Sequence, residues 1–167
     1  IDVIGAGQFQ SFVAGKSPPR SPSRPPGAWA WGGGNLGQLG NGASQGTSQT
    51  ALPVSFLQDG GQLASGWEHT AALTRDGRVW TWGSNYYHQL GYGSSASVVS
   101  TPRQVPGLSG VTQVALSDEG NGYAVESDGS VWAWGDNSHA QLGNGTTTPS
   151  YSPVRLPILT GITQVAA

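Results

Sequence analysis

Three histidines, a scatter of carboxylates and two glycine-rich signatures are the groups in this chain with the types and spacing to do chemistry. Gly32-Gly33-Gly34-Asn35-Leu36-Gly37 has the Gly-x-Gly-x-x-Gly spacing that cradles a dinucleotide pyrophosphate, but that chemistry needs a helix opening at the motif, and none follows. Gly42-Ala43-Ser44-Gln45-Gly46 has the spacing of a nucleophile elbow without the strand-turn-helix setting that exposes the serine. His69, His88 and His139 would form a metal centre only if brought together with carboxylates. Asp118-Glu119-Gly120-Asn121-Gly122 is dense in oxygen yet lacks the spacing and terminal glutamate of a calcium loop, so it reads as a solvated turn. The chain has no cysteine, which excludes disulfides, thiolate zinc sites and a cysteine nucleophile. No catalytic residue, metal ligand or cofactor is assigned from these signatures.

Composition narrows the partners. The formal net charge is −2, with seven Lys plus Arg, three of which (Lys16, Arg20, Arg24) share one short stretch. So few cations neutralise few phosphates, and nucleic acid is not expected as a partner. No apolar run approaches the length that spans a membrane, so none is expected there either. The absence of Met in a chain beginning at Ile1 suggests processing or excision from a longer polypeptide. Compartment stays open, with a secreted or cell-surface setting the leaning.

What must position these residues is a repeat. Trp80-Thr81-Trp82-Gly83-Ser84-Asn85, followed by Gln89-Leu90-Gly91, recurs as Trp29-Ala30-Trp31-Gly32 with Gln38-Leu39-Gly40, and as Trp132-Ala133-Trp134-Gly135-Asp136-Asn137 with Gln141-Leu142-Gly143. The first tryptophans stand 51 and 52 residues apart, a period that belongs to repeat architectures.

Each copy contains four short strands and no amphipathic helix. Residues 1–14 read as two strands joined around Gly5 to Gly7 and align with Gln62 to Leu73, putting Gln10 at the position of His69. Asp76-Gly77 and Asp128-Gly129 between alternating apolar runs predict type I′ hairpins with positive φ at both central residues. The Trp-x-Trp run is a strand with both indoles on one face. Prolines begin edge strands at Pro53, Pro102 and Pro153, and inner strands follow at Gln62 to Ala64, Val111 to Leu116 and Ile162 to Ala166. Four strands in about 50 residues mark a β-propeller blade. The expectation is an all-β chain, residues 1–167 forming one propeller segment: repeats at about 1–58, 59–109 and 110–160, then an overlapping strand at 161–167. The first hairpin carries a Pro-rich insertion, 16–26, expected to be an extended loop.

Gly66-Trp67-Glu68-His69-Thr70-Ala71-Ala72-Leu73, Asp76-Gly77-Arg78-Val79-Trp80-Thr81-Trp82-Gly83-Ser84-Asn85, Gln89-Leu90-Gly91 and Thr101-Pro102-Arg103-Gln104-Val105 together resemble the regulator of chromosome condensation repeat. The resemblance implies blades of a seven-bladed ring. It also implies relatives as different as a guanine-nucleotide exchange factor, inhibitors of β-lactamase and modules that only bind proteins. Exchange activity does not carry over, because its functional residues have no one-by-one match here. The family histidine is His69, becomes Gln10 in the first copy and has no evident counterpart in 117–123; the Asn after Trp-Gly-x is Asn85 and Asn137 but Gly34 in the first copy, with Asn35 next. Three repeats do not close such a ring. Closure would come from further blades of the same or another chain.

Function is then sought where symmetry breaks. Tyr86, Tyr87, His88 and Tyr92 crowd one loop of the second copy, and Trp67, Glu68, Asp118 and Glu119 are expected on neighbouring turns. Aromatic clusters on rigidly held loops make interface anchors. The insertion offers Pro19, Arg20, Pro22 and Arg24 in the pattern of a polyproline ligand. The Trp pairs read as packing rather than sugar platforms because they follow the blade period, and His69 reads as a buried, hydrogen-bonded structural residue. The favoured reading is a non-catalytic protein-binding scaffold. The alternatives are a structural segment that assembles into a closed propeller or larger assembly, and a carbohydrate-binding propeller.

Overall fold

The computed structural model describes residues 3–14, 27–44, 46–54 and 61–167. Among them twelve strands form three antiparallel sheets of four, each in sequential order, with no helix. The first sheet is β1 (Val3–Ala6), β2 (Gln10–Ala14), β3 (Ala28–Gly33) and β4 (Thr47–Pro53). The second is β5 (Gln62–Ser65), β6 (His69–Leu73), β7 (Val79–Ser84) and β8 (Val98–Gln104). The third is β9 (Val111–Leu116), β10 (Asn121–Glu126), β11 (Val131–Gly135) and β12 (Ser150–Arg155). These are propeller blades. β5 touches both β1 and β9, and Gln62 ties two of these inner strands together: its Nε2 donates to the Val114 carbonyl at 2.8 Å while its Oε1 accepts from the Val114 N–H at 3.0 Å.

The core lies between blades. Trp82 and Trp134, the second tryptophan of their motifs, are wholly buried. The Trp82 indole N–H donates to the Gln38 carbonyl of the preceding blade at 2.8 Å, and the Trp134 N–H to the Gln89 carbonyl at 2.9 Å. Gln-Leu-Gly is thus the seat for the next blade's tryptophan. The glycine is required because a Cβ at Gly91 would lie 2.7 Å from the Trp134 ring at a φ of +72°. Phe12 meets Trp82 edge-on with ring centroids 6.3 Å apart. Burying two such indoles is a main source of interblade adhesion.

Four expectations change. Gly77 and Gly129 have positive φ but Asp76 and Asp128 do not, and Gly77 N–H bonds the Thr74 carbonyl, so the Asp-Gly hairpins are longer turns closed by a left-handed glycine rather than type I′. Their backbones abut the next blade: a Cβ at Gly77 would lie 2.8 Å from Gly110 Cα. Pro53, Pro102 and Pro153 lie within or at the end of β4, β8 and β12 rather than beginning them; each of these strands is the sheet edge, where a missing N–H is tolerated. The ladder register places Asn121 opposite Gly135 as His69 stands opposite Gly83, so Asn121 is the counterpart of His69. Residues 162–166 form no strand. They lie against the third blade, with Ile162 packed on its core, the Ile162 N–H donating to the Gly129 carbonyl and the Val165 N–H to Gln113 Oε1 at 2.8 Å, bonds that make no strand ladder.

Candidate functional site

Two blades build one cleft. The β5–β6 turn brings Trp67 and Glu68, the loop after β7 brings Tyr86 and Tyr87, the β9–β10 turn brings Asp118 and Glu119, and the loop after β11 brings Asp136, Ser138 and His139. Together they surround about 490 Å³, within the range of ligand sites. Trp67, Tyr86 and Tyr87 are the exposed aromatics of this wall, at 48%, 57% and 61%, a degree of exposure that leaves their faces available for contact.

The long loops are held from inside. Asn85 is buried; its Nδ2 donates to the carbonyls of Ser94 and Ala96, and its Oδ1 accepts the Leu90 N–H. Asn137 repeats this with Thr146, Thr148 and Leu142. Gln89 Oε1 accepts the Tyr87 N–H at 2.8 Å, and Gln141 Oε1 the His139 N–H at 2.8 Å. The Asn and Gln of the motif therefore fix the backbone that carries the variable residues. At the next position His88 and Ala140 adopt φ near +60°, where the first blade has Gly37 at +74°. A side chain is tolerated there at the cost of a strained backbone.

Electrostatically the cleft is one-sided. Four carboxylates line it, those of Glu68, Asp118, Glu119 and Asp136, and no lysine or arginine among the described residues does. Arg75 and Arg78 flank the Asp76-Gly77 turn at the other end of β6, where Arg78 pairs with Asp76 at 3.3 Å. Partial burial pushes the Asp136 carboxyl up, but hydrogen bonds from Ser138, the Asn137 backbone and Gln141 outweigh it and hold its pKa below 3.8. Ser138 Oγ donates to Asp136 Oδ2 at 2.8 Å and lies 3.1 Å from His139 Nδ1. This is not a nucleophilic triad: the carboxylate meets the serine rather than the imidazole, so nothing orients the histidine as a base.

His69 lines the inner wall and is 1% exposed. Burial pushes its pKa down to about 4, against a backbone hydrogen bond to Asn121 that opposes the shift. The ring is neutral, and Nε2 has no hydrogen-bond partner. The expectation of burial matches; that of full hydrogen bonding does not.

Of the residues singled out in the sequence, Trp67, Glu68, Tyr86, Tyr87, Asp118 and Glu119 come together. His88 and Tyr92 do not. His88 turns to Tyr151 on β12, with ring centroids 3.7 Å apart, and burial lowers its pKa. Tyr92 is half-buried, its hydroxyl without a partner; burial pushes its phenol far up, with Arg103 opposing. Pro19, Arg20, Pro22 and Arg24 lie outside the described residues. Sequence reasoning missed His139, Ser138 and Asp136, although the period aligns them with Tyr87, Tyr86 and Ser84. Among the described residues no group of three or more His, Asp or Glu is arranged to hold a metal ion, and no helix is long and apolar enough to cross a membrane.

The model of the regulator of chromosome condensation (RCC1) repeat matches residues 76–121 and 128–167, and a second model of the same description matches 62–89. The chain belongs to the regulator of chromosome condensation repeat family. It is 40% identical to the human E3 ubiquitin-protein ligase HERC2 over 146 residues, 83% of this chain and 3% of the ligase. It is 36% identical to the Arabidopsis thaliana ultraviolet-B receptor UVR8 over 139 residues, 80% of this chain and 31% of the receptor. The chain thus spans a minor part of these relatives. Among solved structures, the yeast RCC1 protein Prp20 bound to Kap60 aligns with a TM-score of 0.76 at 19% identity, covering 99% of this chain and 39% of that one; human WBSCR16 aligns at 0.74 and 23%, covering 92% and 38%. These two likenesses concern the fold: the RCC1 propeller.

Proposed function

We propose that this segment is a non-catalytic protein-binding module of RCC1 repeats, with boundaries near residues 58, 109 and 160, and that its partner seats on the loop face between the second and third blades. The observation that carries the reading is the cleft itself: three exposed aromatics and four carboxylates converge on it from four loops of two blades. The two longer loops, after β7 and β11, are fixed by buried Asn85, Gln89 and Asn137, so little ordering entropy is lost there on binding. Yeast RCC1, a protein of this fold, was solved with Kap60 bound to it. The relatives that are ubiquitin ligases or photoreceptors are far longer than this chain, and a role in such a whole would be to present the partner.

The test is the double substitution Tyr86→Ala and Tyr87→Ala. Proteins recovered on the immobilised chain should fall about tenfold, the cost of removing interface anchors, with the thermal transition unchanged. A structural segment used only for assembly would instead keep its associations. Light scattering on the same samples would then give the same multiple of the 17.2 kDa chain for both proteins, with no heterologous partner lost.

A further inference from the structure

The chemistry of the cleft selects its ligand. Glu68, Asp118 and Glu119 make no ion pair or hydrogen bond through their carboxylates among the described residues, whereas Asp136 spends its own on Ser138 and Gln141. Three unpaired carboxylates sharing a wall with three exposed aromatic rings, and with no lysine or arginine among the described residues of that wall, form a surface that a positive charge would complete.

A second, independent feature points the same way. His69 is neutral, 1% exposed, and part of the cleft lining. Its Nε2 is buried and has no hydrogen-bond partner. A buried polar atom without a partner carries a desolvation cost that a polar ligand can relieve. The described lining thus joins unpaired carboxylates and a buried ring nitrogen without a partner to exposed aromatic faces, and one planar guanidinium offers both the charge and the flat N–H fork that such a wall can engage.

Resting on the reading of the cleft as a partner site, we propose that it receives an arginine side chain carried on an extended basic segment of the partner, the guanidinium stacked on the rings of Trp67 and Tyr87 and hydrogen-bonded to the carboxylates of Glu68, Asp118 and Glu119. Arginine is favoured over lysine because its planar fork stacks on an aromatic face and donates two parallel bonds to a carboxylate, while an ammonium does neither. The long stem of the side chain lets it enter from solvent while its backbone stays on the rim.

Fluorescence anisotropy of the whole 167-residue chain with the labelled peptide Gly-Ser-Arg-Gly-Arg-Ser-Gly tests this, beside versions in which both arginines are lysine, the uncharged isostere citrulline, or glutamate. The arginine peptide should bind, the lysine peptide about fivefold more weakly, and the other two not at all. Binding should weaken as salt rises from 25 to 300 mM, and fall about tenfold in Glu119→Gln and in Trp67→Ala. Equal binding of the arginine and citrulline peptides, or an unchanged affinity in Glu119→Gln, overturns the proposal. So does a neutral chito-oligosaccharide that binds in place of the peptides and is lost in Trp67→Ala. If no basic peptide binds but a protein partner is still lost on substituting Tyr86 and Tyr87, the guanidinium is wrong and the cleft stands; if neither binds, both fall.

Discussion

His69 is a neutral imidazole set behind a row of carboxylates, and its burial makes it a pH-dependent weak point of the second blade. The folded pKa of about 4 lies below the unfolded value of 6.5, so the unfolded chain binds the proton first. Stability from this group is complete above pH 6.5 and is lost as pH falls towards 4, by roughly 3 kcal/mol. Gln10 occupies the same place in the first blade and satisfies it without a titrating group, its Nε2 donating to the Gly66 carbonyl at 3.2 Å. His69→Gln should therefore leave the urea midpoint at pH 7 nearly unchanged and flatten its fall between pH 6.5 and 4. A variant as acid-sensitive as the parent would place the titration elsewhere. The repeat position announced His69 as structural. Its unmet Nε2 was not legible, because hydrogen bonding is decided by the neighbouring blade.

The loops after β7 and β11 do the positioning, and their buried amides are the means. Asn85→Ala removes two donated bonds and one accepted bond from a buried side chain, leaving carbonyls of Ser94 and Ala96 short of a donor. It should cost about 2 kcal/mol, read as a shifted denaturant midpoint with an unchanged slope, and should weaken binding at Tyr86 and Tyr87 beyond that loss. Ser94→Ala, in the same loop, keeps both carbonyls that Asn85 holds and loses only an exposed bond from the Ala96 N–H to Ser94 Oγ, so its effect on both readouts should be much smaller. Strand order was legible in the sequence because tryptophan, glycine and alternation recur with the period. Turn type and strand ends were less so. Asp76-Gly77 fits two hairpin geometries locally, and contact of Gly77 with Gly110 decides between them. Edge strands admit proline, so proline did not mark where β4, β8 and β12 begin.

At the level of the whole chain, the blades are adhesive scaffold and the cleft is what two of them make together. No single copy of the repeat contains it, which is why Trp67, Glu68, Tyr86, Tyr87, Asp118 and Glu119 could be nominated from broken symmetry while Asp136, Ser138 and His139 could not be joined to them. His88 and Tyr92 broke the same symmetry, yet the crossing of the β7–β8 loop to β12 sends them away: Gly93 N–H bonds the Tyr151 carbonyl at 2.8 Å. Arg75 and Arg78 flank the opposite turn of the second blade, where Asp76 pairs with Arg78, while the cleft's carboxylates of Glu68, Asp118 and Glu119 have no such partner among the described residues. A photo-crosslinking amino acid placed at Tyr87, and separately at Arg78 on the opposite end of the blade, tests the loop-face site most directly. Adducts with a partner protein should form from position 87 and not from 78. Adducts of equal yield from both positions, or from 78 alone, would contradict a partner seated between the second and third blades.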